Sequence, residues 1–196
     1  MAMRRLDVEA STSLPDLLRR DLDVVFIGIN PSLYSAQQGH YFARRTNRFW
    51  PAFSRSRLSL AVRQGLGVET LLPEHDRLLP AHGFGFTDAV KRASARATDV
   101  TPAEFVASVK DLVAKLETFA PRIACFHGIM AYRPFFRALT GTKDEPSLGL
   151  QTLRIGRSQL FLAPNPSPAN AHFTPVDQVG FYDALAACLD RPQAGT

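Results

Sequence analysis

Asp23-Val24-Val25-Phe26-Ile27-Gly28-Ile29 runs directly into Asn30-Pro31-Ser32. A short apolar run rich in β-branched residues and closed by a turn signal reads as a strand buried on both faces. Pro31 lacks an N–H and cannot continue a ladder, so the chain must leave the sheet there. Arg122-Ile123-Ala124-Cys125-Phe126-His127 is a second run of this kind. Residues 159–163 form a third, which runs into Pro164-Asn165-Pro166-Ser167-Pro168 after a shorter strand over 152–155 and the turn Gly156-Arg157-Ser158.

Helices fill the intervals. Asn47 is placed to cap one over 48–56, and a second covers 58–64. Thr101-Pro102-Ala103-Glu104 combines a capping-box spacing with Pro in the first turn. Phe105, Val109, Leu112, Val113, Leu116 and Phe119 then keep one face of that helix apolar until Pro121 ends it. Further helices are expected over 129–139 and 175–190, the latter with Val179, Tyr182, Leu185, Ala186 and Leu189 inward. The stretch from Pro31 to Thr46 reads as a long polar loop. The interval 71–86, broken by Pro73, Pro80, Gly83 and Gly85, reads as loop and short helix leading into a strand at Phe86-Thr87-Asp88-Ala89-Val90. Strands alternating with helices predict an α/β fold, a three-layer αβα sandwich around a short, mostly parallel sheet. Ligands of such sheets bind beyond the carboxyl ends of the strands.

The 196 residues suit a single domain over 1–196, with 1–20 as a flexible arm bearing a helical turn at 14–19. No stretch approaches the roughly 20 apolar residues of a membrane span, and no apolar run follows the basic N-terminus, so a cytoplasmic protein is expected. Cys125 and Cys188 are too few for a disulfide framework and read as buried, reduced thiols. The histidines show no ligand-pair spacing, so neither metal nor cofactor is expected. The net charge of +5 matters less than its distribution: residues 24–68 contain no Asp or Glu but hold Arg44, Arg45, Arg48, Arg55, Arg57 and Arg63. A one-signed region of arginine forks suits phosphate oxygens. If about three phosphates are neutralised there, log K should fall with log salt at a slope near ~−3.

Two strand exits share a pattern, Gly28-Ile29-Asn30-Pro31-Ser32 and Ala163-Pro164-Asn165-Pro166-Ser167. Each sets an amide side chain and a Pro-stiffened turn at the end of a parallel strand, so both can face one crevice. The first continues through Leu33-Tyr34-Ser35-Ala36 and Gly39-His40-Tyr41-Phe42-Ala43 to Asn47-Arg48-Phe49-Trp50. This whole stretch resembles motif A of the mismatch-specific uracil-DNA glycosylase and thymine-DNA glycosylase branch of the uracil-DNA glycosylase superfamily. Asn165-Pro166-Ser167 resembles the start of motif B, and Gly85-Phe86-Thr87-Asp88 with Arg92 the connecting segment. The resemblance implies a uracil-DNA glycosylase-like fold and a monofunctional enzyme that excises uracil, and related damaged or mismatched bases, from double-stranded DNA as a monomer.

On that resemblance Asn30 positions a water, its amide oxygen accepting a hydrogen bond without taking a proton. Phe42 stacks on the flipped base, and Ile29, Tyr41, Phe42, Ser35 and Asn165 surround it, with the backbone amides around Ile29 and Phe42 as base readers. Arg44, Arg48, Ser167, Pro168, Ala169, Asn170 and His172 are expected to meet DNA.

Two departures from the family pattern stand out. Motif B normally continues Gly-Leu-Ser-Arg, whose side chains wedge into the duplex. Here Pro168-Ala169-Asn170-Ala171-His172-Phe173 offers no long intercalating side chain before Phe173, so a preference for guanine opposite the target is not implied. Asp88 stands where the mismatch-specific enzymes carry lysine. A carboxylate there can orient or deprotonate the water, or it can cap a turn or pair with Arg92. The alternative function is a DNA-binding protein of the same fold with weak or no glycosylase activity. A flavodoxin-like cofactor enzyme fits the α/β pattern but not the loops, which contain neither G-x-G-x-x-G nor G-x-x-x-x-G-K-[ST]. A lyase would need a pocket lysine, and Lys91, Lys110, Lys115 and Lys143 lie outside both motifs.

Overall fold

The structure, a computed structural model, describes residues 13–191. Its elements are β1 (Val24–Gly28), α1 (Leu33–Gln38), α2 (Phe49–Arg55), α3 (Leu60–Leu66), β2 (Phe84–Asp88), α4 (Pro102–Phe119), β3 (Ile123–His127), α5 (Ile129–Thr140), β4 (Gly149–Ile155), β5 (Ser158–Ala163) and α6 (Pro175–Leu189). They build one five-stranded sheet in the order β2-β1-β3-β5-β4, parallel except where β4 pairs with β5. The expected αβα layering is present.

Period-two alternation divides the core. On one face Val24, Phe26, Phe84, Phe86, Ile123, Cys125, Phe161 and Ala163 meet Phe49, Trp50 and Phe53 of α2, Val62 of α3, and Tyr182 and Leu185 of α6. On the other, Val25, Ile27, Ala124, Phe126, Leu160 and Leu162 meet Phe105, Leu112 and Leu116 of α4 and Tyr132 and Phe135 of α5. The first face is unusually aromatic: Phe26 alone lies within ring-contact range of Phe49, Phe53, Phe84, Phe86 and Tyr182. Burying each such ring contributes about 1.5–3 kcal/mol. Cys125 is buried and Cys188 half-buried, both unbridged. No helix among the described residues is long and apolar enough to cross a membrane.

Three sequence expectations need correction. The arm is not loose from Ser13 onward, and residues 14–19 form no helical turn; residues 1–12 lie outside the described residues. Leu14 is buried, and Leu17 exchanges backbone hydrogen bonds with Phe86 at 2.9 and 3.0 Å as an antiparallel bridge along the free edge of β2. Strand β2 begins at Phe84, because Gly85, which reads as a breaker, is where Leu17 and Leu22 pass too close for any side chain. The polar loop after Pro31 contains α1, capped by the Ser32 hydroxyl and ended by Gly39 at φ 73°. Its buried positions are Ser35 and Ala36, so no apolar stripe betrays it.

Candidate active site

The chain passes from β1 to β2 on one side and then crosses to β3 on the other. The topological switch point is therefore the crevice between the carboxyl ends of β1 and β3, where open α/β sheets bind ligands. The β1–β3 ladder opens there: neither the Ile29 nor the Phe42 backbone N–H has a hydrogen bond to any described residue. Phe42 holds φ at 52°, a left-handed conformation that costs a non-glycine residue energy and recurs at functional sites.

The register sets a row of residues across this edge. Gly28 pairs with Asp88 on β2, Ile27 with Phe126 on β3, and His127 with Ala163 on β5. Gly28, Asp88, His127 and Ala163 consequently share the aromatic face. Gly28 is a notch between two ionisable neighbours, since a Cβ there would collide with Asp88 Oδ1 and lie 3.9 Å from Phe42 Cζ. The Phe42 ring stacks on Phe49 with centroids 4.4 Å apart and meets the His127 ring edge-on at 5.4 Å. Phe42 thus stands over Gly28 with Asp88 on one side and His127 on the other.

Asp88 is 4 % exposed and its Oδ2 has no hydrogen-bond partner. Burial pushes its pKa up to about 7, with Lys91 pulling the other way. Arg92, the partner that sequence offered it, is instead engaged by Glu104 and the Asp99 carbonyl. Nor is Lys91 free, because Lys91 and Lys115 both pair with Asp16 at 2.7 Å, and Thr87 donates to the same carboxylate.

His127 escaped sequence reasoning, since a histidine closing an apolar run reads as a strand end. Its Nε2 lies 2.9 Å from the Tyr182 hydroxyl, while Nδ1 is buried without a hydrogen bond. Burial holds it neutral, with a pKa of about 3 despite an opposing pull from the Ile27 backbone. Only the strand register reveals that it belongs to the row.

Asn30 leaves β1 with its amide nitrogen donating to the Arg92 carbonyl and the Ser94 hydroxyl, both at 2.8 Å. A carbonyl can only accept, so the nitrogen end is fixed inward and the amide oxygen remains the free acceptor. On the second loop, Asn165 packs on Gly128, whose φ of 94° and 3.0 Å approach exclude a side chain. Its Oδ1 caps the Ser167 N–H. The two loops stand about 10 Å apart, two strand spacings along the same sheet edge. They are joined by Arg48, whose N–H bonds the Pro166 carbonyl.

Other predicted site residues take supporting positions. Tyr41 is buried, stacked on Phe86, with its hydroxyl on the Pro15 carbonyl and its N–H on Asp76, so its ring is a core group rather than a base contact. Ser35 is 5 % exposed and ties the loop by accepting the Ala43 N–H. The Arg48 guanidinium is spent on the Asn170, Phe173 and Pro168 carbonyls. It braces the second loop and does not reach outward to phosphate. Asn170 is a brace too, its amide bonding the Asn165 carbonyl, and the Ser167 hydroxyl accepts from Ala169. Pro168, Ala169, His172 and Arg44 are exposed. Among the described residues no three His, Cys, Asp or Glu side chains gather as metal ligands would.

Compared with known protein families, the sequence matches the uracil DNA glycosylase superfamily over residues 15–186. The chain belongs to that superfamily. Uracil DNA glycosylases are hydrolases of the bond between base and sugar in DNA. The matched span takes in β1 and all that follows to α6, so the motif-bearing loops and the row between them lie inside the family's own architecture.

Proposed function

We propose that this protein is a monofunctional DNA glycosylase of the mismatch-specific uracil and thymine glycosylase branch, which hydrolyses the N-glycosidic bond of uracil rotated out of duplex DNA. The observation that carries the reading is the buried, unpaired Asp88 carboxyl set against Gly28 beside the Phe42 ring. One face of that ring is covered by Phe49, and the flipped base stacks on the other, a contact of about 1–3 kcal/mol. The free N–H groups of Ile29 and Phe42 supply donors for the pyrimidine oxygens, and the His127 ring meets the Phe42 ring edge-on beside them.

The Asn30 amide oxygen orients a water beneath the sugar. As the C1′–N1 bond breaks, its electron pair passes to the uracil ring and positive charge develops on the sugar. Ionised Asp88 favours that charge and takes the proton of the attacking water, whose oxygen forms the new bond to C1′. The product is an abasic site. Lys91 and Lys115 are held in ion pairs to Asp16, so neither is a free amine for a lyase step.

The test is single-turnover excision from a uracil-containing oligonucleotide. Wild-type protein releases uracil; Asp88→Asn lowers the rate by about 100-fold or more while leaving DNA affinity within a few-fold. Binding without base release by the wild type would favour the DNA-binding alternative, and unchanged excision in Asp88→Asn would remove Asp88 from the chemistry.

A further inference from the structure

Among its exposed positions the second loop presents no long apolar side chain to hold a duplex open. Phe173, its first long apolar side chain, packs edge-on against Phe181 at 6.0 Å, and Arg48 ties down the carbonyls of residues 168, 170 and 173. What remains exposed on that lip is Pro168, Ala169, Ala171 and His172.

The opposite lip differs. Immediately after Asn30-Pro31-Ser32, α1 presents Leu33 and Tyr34, which are 48 % and 38 % exposed. Their backbone is rigidly held: the Leu33 N–H bonds the Ser94 carbonyl at 3.1 Å, and Ser32 caps the Ser35 N–H at 3.0 Å. The buried side of α1 is only Ser35 and Ala36, so the helix sits close to the sheet edge and turns its two large apolar side chains outward. The Arg44 guanidinium lies 5.8 Å from the Tyr34 ring centroid, and Arg45 beside it is exposed and unpaired. An apolar and aromatic tip a few residues after Asn30, flanked by Arg44 and lacking any acid in residues 24–68, matches stacked bases bordered by phosphates.

We infer that Leu33 and Tyr34 form the wedge that enters the base stack where the target nucleotide leaves it, with Arg44 on the adjoining phosphate. This rests on the glycosylase reading of the same site. A wedge acts only where a stack must be broken, so its removal is felt on duplex and not on single-stranded substrate. Tyr34 supplies the stacking face, Leu33 the filling volume, and Arg44 restrains the ring while leaving it exposed.

The experiment uses a duplex with 2-aminopurine beside a 2′-fluorinated deoxyuridine, whose glycosidic bond resists hydrolysis, at protein concentrations that saturate binding by anisotropy. Wild-type protein raises 2-aminopurine fluorescence; Tyr34→Ala and the Leu33→Ala/Tyr34→Ala pair abolish most of the rise, and Tyr34→Phe restores it. In parallel, the ratio of duplex to single-strand uracil excision falls about 10-fold in Tyr34→Ala, the scale of one lost base–aromatic stack. An equal rise from wild type and both alanine variants, or no rise from saturating wild type, overturns the inference. A Tyr34-dependent rise from a protein that excises no uracil would uphold the wedge and sink the glycosylase reading.

Discussion

At Asp88 the surroundings that hold the carboxyl protonated also make it a stronger base than an ordinary carboxylate once ionised. With 4 % exposure and one oxygen unpartnered, the charged form has lost its water without gaining a cation in contact. Its pKa near 7 makes the ionised fraction change across the neutral range. Single-turnover excision is expected to rise about tenfold per pH unit below 7 and to level off above about 8, and a flat profile from pH 6 to 8 would contradict the role. The same shift bears on stability with a definite sign. An unfolded chain ionises Asp88 near 3.8, whereas the folded chain keeps its proton to about 7. Folding therefore takes up a proton in that window, and this group's contribution to stability falls as pH rises through it, by an amount on the order of 4 kcal/mol when complete. Asp88→Asn should melt higher than wild type at pH 8, with a smaller gain at pH 5; equal gains at both would show that ionisation is not what is being relieved. Sequence marked Asp88 by its departure from the family pattern. It could not mark His127, whose significance arises only when β3 pairs beside β1 and puts it across Gly28 from the carboxyl.

The elements explain what was legible and what was hidden. The three continuous apolar runs announced β1, β3 and β5 because a strand buried on both faces needs continuous hydrophobicity. Helix α4 declared itself through Thr101 and Glu104, whose reciprocal cap is present. Elements held by small residues or by backbone contacts gave no such sign. Helix α1 buries only Ser35 and Ala36, and the arm at Leu17 is fixed by main-chain bonds to β2. The loops show the same divide: Asn30 and Asn165 stand at the strand ends where they were sought, but Arg48 is a strut between the loops. Arg48→Ala is expected to lower stability by about 1 kcal/mol, through the part-buried Asn170 and Phe173 carbonyls left unpaired, and to slow excision, while leaving the salt dependence of DNA binding as it was. Arg44→Ala should do the reverse, reducing the salt slope by about 1 with little change in melting. Binding isotherms at several salt concentrations alongside thermal melts separate the two, and a reduced slope in Arg48→Ala would restore it to the DNA surface.

For the whole molecule, a one-signed stretch of sequence need not be a one-signed surface. The arginines of residues 24–68 scatter once folded. Arg57 pairs with Asp190, Arg63 bonds the Ser59 hydroxyl and the Glu69 carbonyl, and Arg48 is enclosed by the second loop. Arg55 is exposed in the last turn of α2, whereas Arg44 and Arg45 are exposed on the loop that carries Phe42. Lys91 and Lys115, the cations whose charge reaches Asp88, are held in ion pairs to the one Asp16 carboxylate. Counting phosphates from the folded arrangement therefore gives about two where the bare sequence suggested three. Because each neutralised phosphate contributes about −0.9 to the slope of log K against log salt, duplex binding should fall with a slope near ~−2. A slope of −4 or steeper would mean that DNA runs over α2 and α3 as well, and a slope near zero would mean that the crevice takes its ligand without engaging the backbone. A value near −2 that drops toward −1 in Arg44→Ala would tie the electrostatic footprint to the lip that carries Tyr34, so that the charge that draws DNA in and the side chains that open it share one edge of the sheet.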